Sequence, residues 1–237
     1  MKVCRFDSEA LAAAHAADIV EGVLRKKPNA VFCFAAGHSS LPVFNALVER
    51  GTDFSAARFI ELDEWLGLSP DTGGSCAFFL KRNFFSRIAA APDRIALFNG
   101  MTADCEAECR RMEERIVLWG GIDCLLLGAG MNGHLALNEP GSGFDEGIRR
   151  TALSRTTLEV APKYFPRGMP PITEGITLGL KNILACRRIQ LIVLGTHKAE
   201  IVRRLLSLSA PDRDFPASAL LAVPEAELLL DAEAAGR

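Results

Sequence analysis

The chain has 237 residues, 49% hydrophobic and 24% charged, the composition of an ordinary globular protein with enough apolar mass for a large core, which excludes disordered and collagen-like classes. A formal net charge of −2 and a pI near 6.1 provide no basic field for a phosphate backbone, so no nucleic-acid partner is expected. The first 20 residues place acids and a histidine among their apolar positions, which is wrong for a signal peptide or a membrane span; a cytoplasmic protein with no membrane partner is expected.

In chain order, residues 8–25 (SEALAAAHAADIVEGVLR) carry apolar positions at helical spacing behind a Ser N-cap and predict an amphipathic helix. AVFCFAAG (30–37) is a short Val/Phe-rich run that stops at Gly37 and leads through HSSLP into the helical pattern VFNALVER. The order then repeats: ARFIELDEW (57–65) as strand, SCAFFLKRNFFSRI as helix, RIALFNG as a short strand, ADCEAECRRMEERIVLWG as helix and IDCLLLGAG (122–130) as strand. RIQLIVLGTHKAEIVRRLLSL (188–208) forms a last strand and helix. Near-continuous apolar strands alternating with helices predict an α/β fold, a doubly wound, mostly parallel sheet with helices on both faces. No linker or repeat divides the chain, so 1–237 is expected to be one domain. Residues 138–174 are rich in Pro, Gly, Arg and Thr without a clean period, and 145–172 is the candidate mobile lid.

Seven cysteines (Cys4, Cys33, Cys76, Cys105, Cys109, Cys124, Cys186) are scattered without CxxC spacing, so neither a disulfide framework nor a metal site is expected. Cys33 and Cys124 lie in apolar runs and read as core.

Ligands of open α/β sheets bind beyond the carboxyl ends of the strands. Standing there are Gly37, His38, Ser39 and Ser40, then Asp63 and Glu64, then Asn132, Gly133, His134, Asn138 and Glu139, and finally His197 and Lys198. The AGHSS loop precedes a helix, so its N–H groups and hydroxyls suit a phosphate, although a capped turn needs the same residues. Lys198 begins a helix, where the dipole disfavours a cation and an anionic ligand explains it better than solvent alone. In GAGMNGHLALNEPGSGF (128–144), glycines turn the chain tightly around His134, and Glu139 follows as a partner able to hold the imidazole's tautomer and raise its basicity. Asp63-Glu64, at the tip of a buried strand, is either an acidic helix start or a second base opposite His134 for proton transfer beside a carbonyl.

FIELDEWLGL, GMNGHLALNEPGSG, ITEGITLGLKNIL and LGTHKAE, in this order, resemble the glucosamine-6-phosphate deaminase/isomerase family over most of the chain, and LDEW, NGHLALNEPG and GITLGLKNIL look closest to its galactosamine-6-phosphate branch. The resemblance implies a Rossmann-like fold of the sugar-phosphate isomerase type. It also implies an aldose-to-ketose isomerisation that releases the C2 amino group of a small phosphorylated amino sugar as ammonia, with no cofactor. It implies that Asp63 shuttles a proton between C1 and C2, that His134 assists ring opening supported by Glu139, and that Gly37, His38, Ser39 and Lys198 bind phosphate. Lys163 falls near a lid arginine of the family; it keeps the charge but not the bidentate fork. Asn132 stands where the glucosamine enzymes usually carry Asp, leaving His134 one carboxylate partner fewer. His38-Ser39-Ser40, followed by Pro42, replaces the usual Gly- and Thr-rich phosphate turn. Two other readings stay open: a hydrolase like the 6-phosphogluconolactonases, which share the fold and a G-x-x-G-H turn, and a non-catalytic sugar-phosphate sensor. A homo-oligomer is equally open.

Overall fold

The computed structural model describes residues 1–169 and 171–236. In chain order its elements are β1 (Lys2–Arg5), α1 (Glu9–Lys26), β2 (Val31–Phe34), α2 (Leu41–Glu49), β3 (Arg58–Glu61), β4 (Asp63–Trp65), α3 (Cys76–Asn83), β5 (Ile95–Ala96) and α4 (Cys105–Leu118). They continue with β6 (Cys124–Leu127), β7 (Arg149–Ala152), α5 (Arg155–Val160), β8 (Glu174–Thr177), α6 (Leu180–Leu184), β9 (Ile189–Val193), α7 (Ala199–Ser207) and β10 (Glu227–Leu230). Among the described residues no helix is long and apolar enough to cross a membrane.

Seven strands form one sheet in the order β1-β10-β9-β6-β2-β3-β5, every pair parallel. This bears out the doubly wound α/β expectation. The chain leaves β2 toward β3 and β5, then returns to β6 on the other side, so the strand order reverses between β2 and β6. Alternate residues of each strand feed two cores. On one face Phe32, Phe34 and Phe59 pack with α1, α2 and α3; on the other Val31, Cys33, Ile60 and Leu125 pack with α4, α6 and α7. Phe32, Phe44, Phe54, Phe59 and Phe84 are fully buried, each contributing about 1.5–3 kcal/mol of burial. Cys33 and Cys124 are core residues, as their apolar runs imply.

The run 57–65 is not one strand. It breaks at Leu62, and the residues beyond form β4 in a second, antiparallel sheet of order β4-β8-β7. The irregular segment expected over 145–172 also needs correction in its first half. Arg149–Ala152 pairs with β8, and Ser154 caps α5 by accepting the Thr157 N–H, followed by a tight helical turn at Ala161–Tyr164. A four-residue strand and a six-residue helix are too short to register a period. Position 170, inside the candidate lid, lies outside the described residues. The edge strand β1 and its neighbour β10 carry no turn or periodicity signal, and sequence reading missed both.

Candidate active site

The strands β9, β6, β2 and β3 are neighbours, and the loops leaving their carboxyl ends surround a cavity of about 1180 Å³, at the strand-order reversal where such folds bind ligands. Gly37, His38, Ser39, Asp63, His134, Lys163 and Lys198 line it. Of the sequence candidates, Asn132 and Glu139 do not; they stand behind His134.

The His134 loop is held by backbone turns. Gly130 N–H donates to the His134 carbonyl, and Gly133 N–H to that of Gly130. Gly133 has a φ of 82°, and the imidazole lies so close over Gly130 that a Cβ there would stand 2.1 Å from Nε2. Both glycines are therefore structural requirements of the histidine's position. His134 Nδ1 is 3.4 Å from Glu139 Oε2 and 3.3 Å from the Thr157 hydroxyl, leaving Nε2 without a protein partner among the described residues. The Asn132 amide donates to Glu139 Oε2 at 2.8 Å and to Ser154 at 3.0 Å, and its carbonyl oxygen accepts the His134 N–H at 3.2 Å. Asn132 thus bonds the carboxylate and the turn, while Glu139 is the carboxylate beside the imidazole ring. Burial alone raises the Glu139 pKa, but hydrogen bonding and charge from His134, with bonds from Thr157 and Asn132, outweigh it and hold the group down at about 2. An ionised Glu139 favours the tautomer with the proton on Nδ1, and the ring lines the cavity.

The acidic pair Asp63-Glu64 divides its work. Glu64 is buried, and its oxygens accept the N–H groups of Trp65 (2.7 Å), Cys76 (2.9 Å) and Ala77 (3.0 Å), so it caps α3. Asp63 borders the cavity. Burial, then repulsion from Glu64, pushes its pKa up to about 7, the range a base needs to give and take a proton near neutrality. The small sheet ties the two halves of the site together. Thr177 pairs with Asp63 across β4 and β8, while its hydroxyl accepts the Leu137 N–H at 3.2 Å. Asn138, placed by sequence at the site, is fully buried and donates to the Leu135 and Leu178 carbonyls; it holds the loop and does not face the cavity.

At the cavity's other end, a tight turn at His38–Ser40 runs directly into α2, the Ser40 and Leu41 N–H groups donating to the Gly37 and His38 carbonyls. Lys198 reaches across from the start of α7 to the Ala129 carbonyl at 2.7 Å. Burial, then the charge of Lys163, lowers its pKa to about 8, a cost that a bound dianion reverses. Lys163 is exposed, its ammonium 4.9 Å above the Tyr164 ring. Sequence reading missed Thr157 and Arg82, which also line the cavity. Thr157 sits in the segment without periodicity, and nothing in the helical pattern around Arg82 marks it.

A parallel sheet with a reversal-point cavity, a His–Glu pair, a second carboxylate and a lysine at a helix start defines an α/β protein whose ligand cavity is lined by acid–base groups and a cation. The profile described as glucosamine-6-phosphate isomerases/6-phosphogluconolactonase matches residues 7–229, and the chain belongs to this family. It is 36% identical over 223 residues to a glucosamine-6-phosphate deaminase of Geobacillus sp., spanning 92% of this chain and 88% of that one. A solved structure of a monomeric glucosamine-6-phosphate deaminase superposes with a TM-score of 0.95 at 35% identity, covering 100% and 99% of the two chains. A 6-phosphogluconolactonase from Trypanosoma cruzi superposes at 0.78 with 17% identity over 100% and 96%, which shows the shared fold alone.

Proposed function

We propose that this chain is a hexosamine-6-phosphate deaminase, converting an amino-sugar 6-phosphate and water to the ketose 6-phosphate and ammonia. The observation that carries the reading is Asp63, a carboxylate with a pKa near 7 on the same cavity wall system as the His134–Glu139 pair. In this reading the phosphate sits among the Gly37–Ser39 turn, Lys198 and Lys163. His134 moves a proton between the anomeric hydroxyl and the ring oxygen to open the pyranose. Asp63 then takes the C2 proton and returns it to C1, and the resulting C2 imine is hydrolysed by water. Residues 155–169, which include Thr157 and Lys163, act as the lid of the site, whereas 149–152 stay paired in the small sheet.

The deaminase relatives support glucosamine-6-phosphate as the first substrate to test, and the LDEW and NGHLALNEPG motifs keep its C4 epimer galactosamine-6-phosphate as the second. The test is ammonia release from both sugars in parallel, with 6-phosphogluconolactone hydrolysis as control. Ammonia from either sugar is the expected result, and the faster substrate names the epimer; lactone turnover without ammonia replaces the reading with a hydrolase.

A further inference from the structure

Cys4 of β1, His15 of α1 and Glu227 of β10 meet outside the cavity, and none of them lines it. Their sulfur, nitrogen and oxygen atoms all lie within 4.8 Å of one another. His15 Nε2 is 3.4 Å from Glu227 Oε2, and Cys4 Sγ is 3.7 Å from the same oxygen. Around a tetrahedral zinc ion, with about 2.0 Å to nitrogen or oxygen and about 2.3 Å to thiolate, neighbouring ligand atoms stand about 3.3 Å (N to O) and about 3.5 Å (S to O) apart. The two edges to Glu227 Oε2 match this geometry closely, and the Cys4–His15 edge lies within 4.8 Å, against about 3.5 Å around the ion. We propose that Cys4, His15 and Glu227 form a zinc-binding site that ties β1 and α1 to β10.

Two cationic side chains, Arg188 and Lys2, already stand at Glu227, and a metal ion competes with Lys2 for Oε2. Arg188 binds Glu227 Oε1 at 2.7 Å, which orients the carboxylate and leaves Oε2 turned to the cysteine and histidine. Lys2, 4.0 Å from Oε2 with a side chain 69% exposed, is free to swing into solvent when a metal takes its place. Glu227 is buried, so the site is not a loose acidic patch. The His15 side chain is 34% exposed, which opens the fourth position to water. Metal binding displaces the Cys4 thiol proton to solvent and oxidises nothing. The ligands are spread over more than 220 residues of chain, which is why cysteine spacing predicts no such site.

The experiment is titration of chelator-treated full-length protein with Co²⁺ and with Zn²⁺. One equivalent of Co²⁺ is expected to produce a sulfur-to-cobalt charge-transfer band in the near ultraviolet, absent in Cys4→Ser and weakened in His15→Gln. Zn²⁺ at a hundredfold excess over its Kd is expected to raise the unfolding midpoint of the unsubstituted protein by about 5–10 °C and to leave the Cys4→Ser midpoint unchanged. Metal-free midpoints of the two variants, compared with the parent, show that both are folded. Persistence of the band in Cys4→Ser assigns it to another thiol and overturns the proposal, as does failure to bind either ion at low micromolar concentration. Ammonia release is a separate readout, so failure of the catalytic reading leaves this result intact.

Discussion

Replacing Asp63 by Asn removes a carboxyl whose ionisation opposes folding. Its pKa rises from 3.8 to about 7 in the folded chain, and at 1.36 kcal/mol per pH unit the difference is about 4 kcal/mol at full burial. The carboxyl opens onto the cavity, so screening reduces this to about 2–3 kcal/mol. Below pH 4 the group is protonated in both states and the penalty vanishes. Between pH 4 and 7 the unfolded chain releases a proton that the folded chain keeps, so stability falls as pH rises; above 7 the penalty is constant. Asn imitates the protonated acid. The Asp63→Asn variant is therefore expected to gain stability over the parent progressively from pH 5 to 7 in urea unfolding, and to hold a plateau of about 2–3 kcal/mol at pH 8. Over the same variant, ammonia release should fall by about 10²–10⁴-fold, the usual contribution of a positioned base, with ligand binding nearly unchanged. An Asn variant equally stable relative to the parent at pH 5 and pH 8 would refute the burial argument, and one that keeps most of its turnover would refute the proton shuttle.

Gly130→Ala would place a methyl 2.1 Å from His134 Nε2; kcat is expected to fall about 10²-fold or more while the circular dichroism of the fold is retained. Glu64→Gln keeps one acceptor oxygen but turns its amide donor toward the Ala77 N–H or toward those of Trp65 and Cys76, and should cost about 1.5–3 kcal/mol in urea unfolding. Because Glu64 charge helps raise Asp63, the acid limb of its kcat/KM profile should also move to lower pH; an unmoved limb argues against coupling. Asn132→Asp replaces the amide that donates to Glu139 Oε2 at 2.8 Å by a like charge, which raises the Glu139 pKa. Turnover should fall at pH 7 and recover on the alkaline side, whereas equal turnover at pH 7 would show that the turn relaxes.

The strands β2, β6 and β9 and the helices α1, α4 and α7 were legible because each is either a buried apolar run or a clean helical period, and the α1 start was fixed by Ser8, whose hydroxyl accepts the Leu11 N–H. The cavity residues were legible for a related reason: in a parallel sheet the strand ends are known once the strands are, and polar groups clustered there have few other tasks. What escaped depends on partners distant in sequence. The edge strand β1 is identified only by β10, more than 220 residues away, and Thr157 matters only because the fold lays α5 beside the His134 loop.

The break at Leu62 shows how one local departure arranges the chemistry. Had 57–65 run on as a single strand of the parallel sheet, Asp63 and Glu64 would alternate to opposite faces and enter the two helix-covered cores. By leaving the large sheet after Glu61 and pairing with β8 instead, the chain turns Glu64 onto the N-terminus of α3 and leaves Asp63 at the cavity wall. The same β8 supplies Thr177, whose hydroxyl holds the loop carrying His134 and Glu139. The base and the imidazole are therefore referenced to one short strand, not to two independent loops. Their separation is set by the β4–β8 ladder and the Thr177 hydroxyl bond, the kind of support that proton transfer between fixed groups requires.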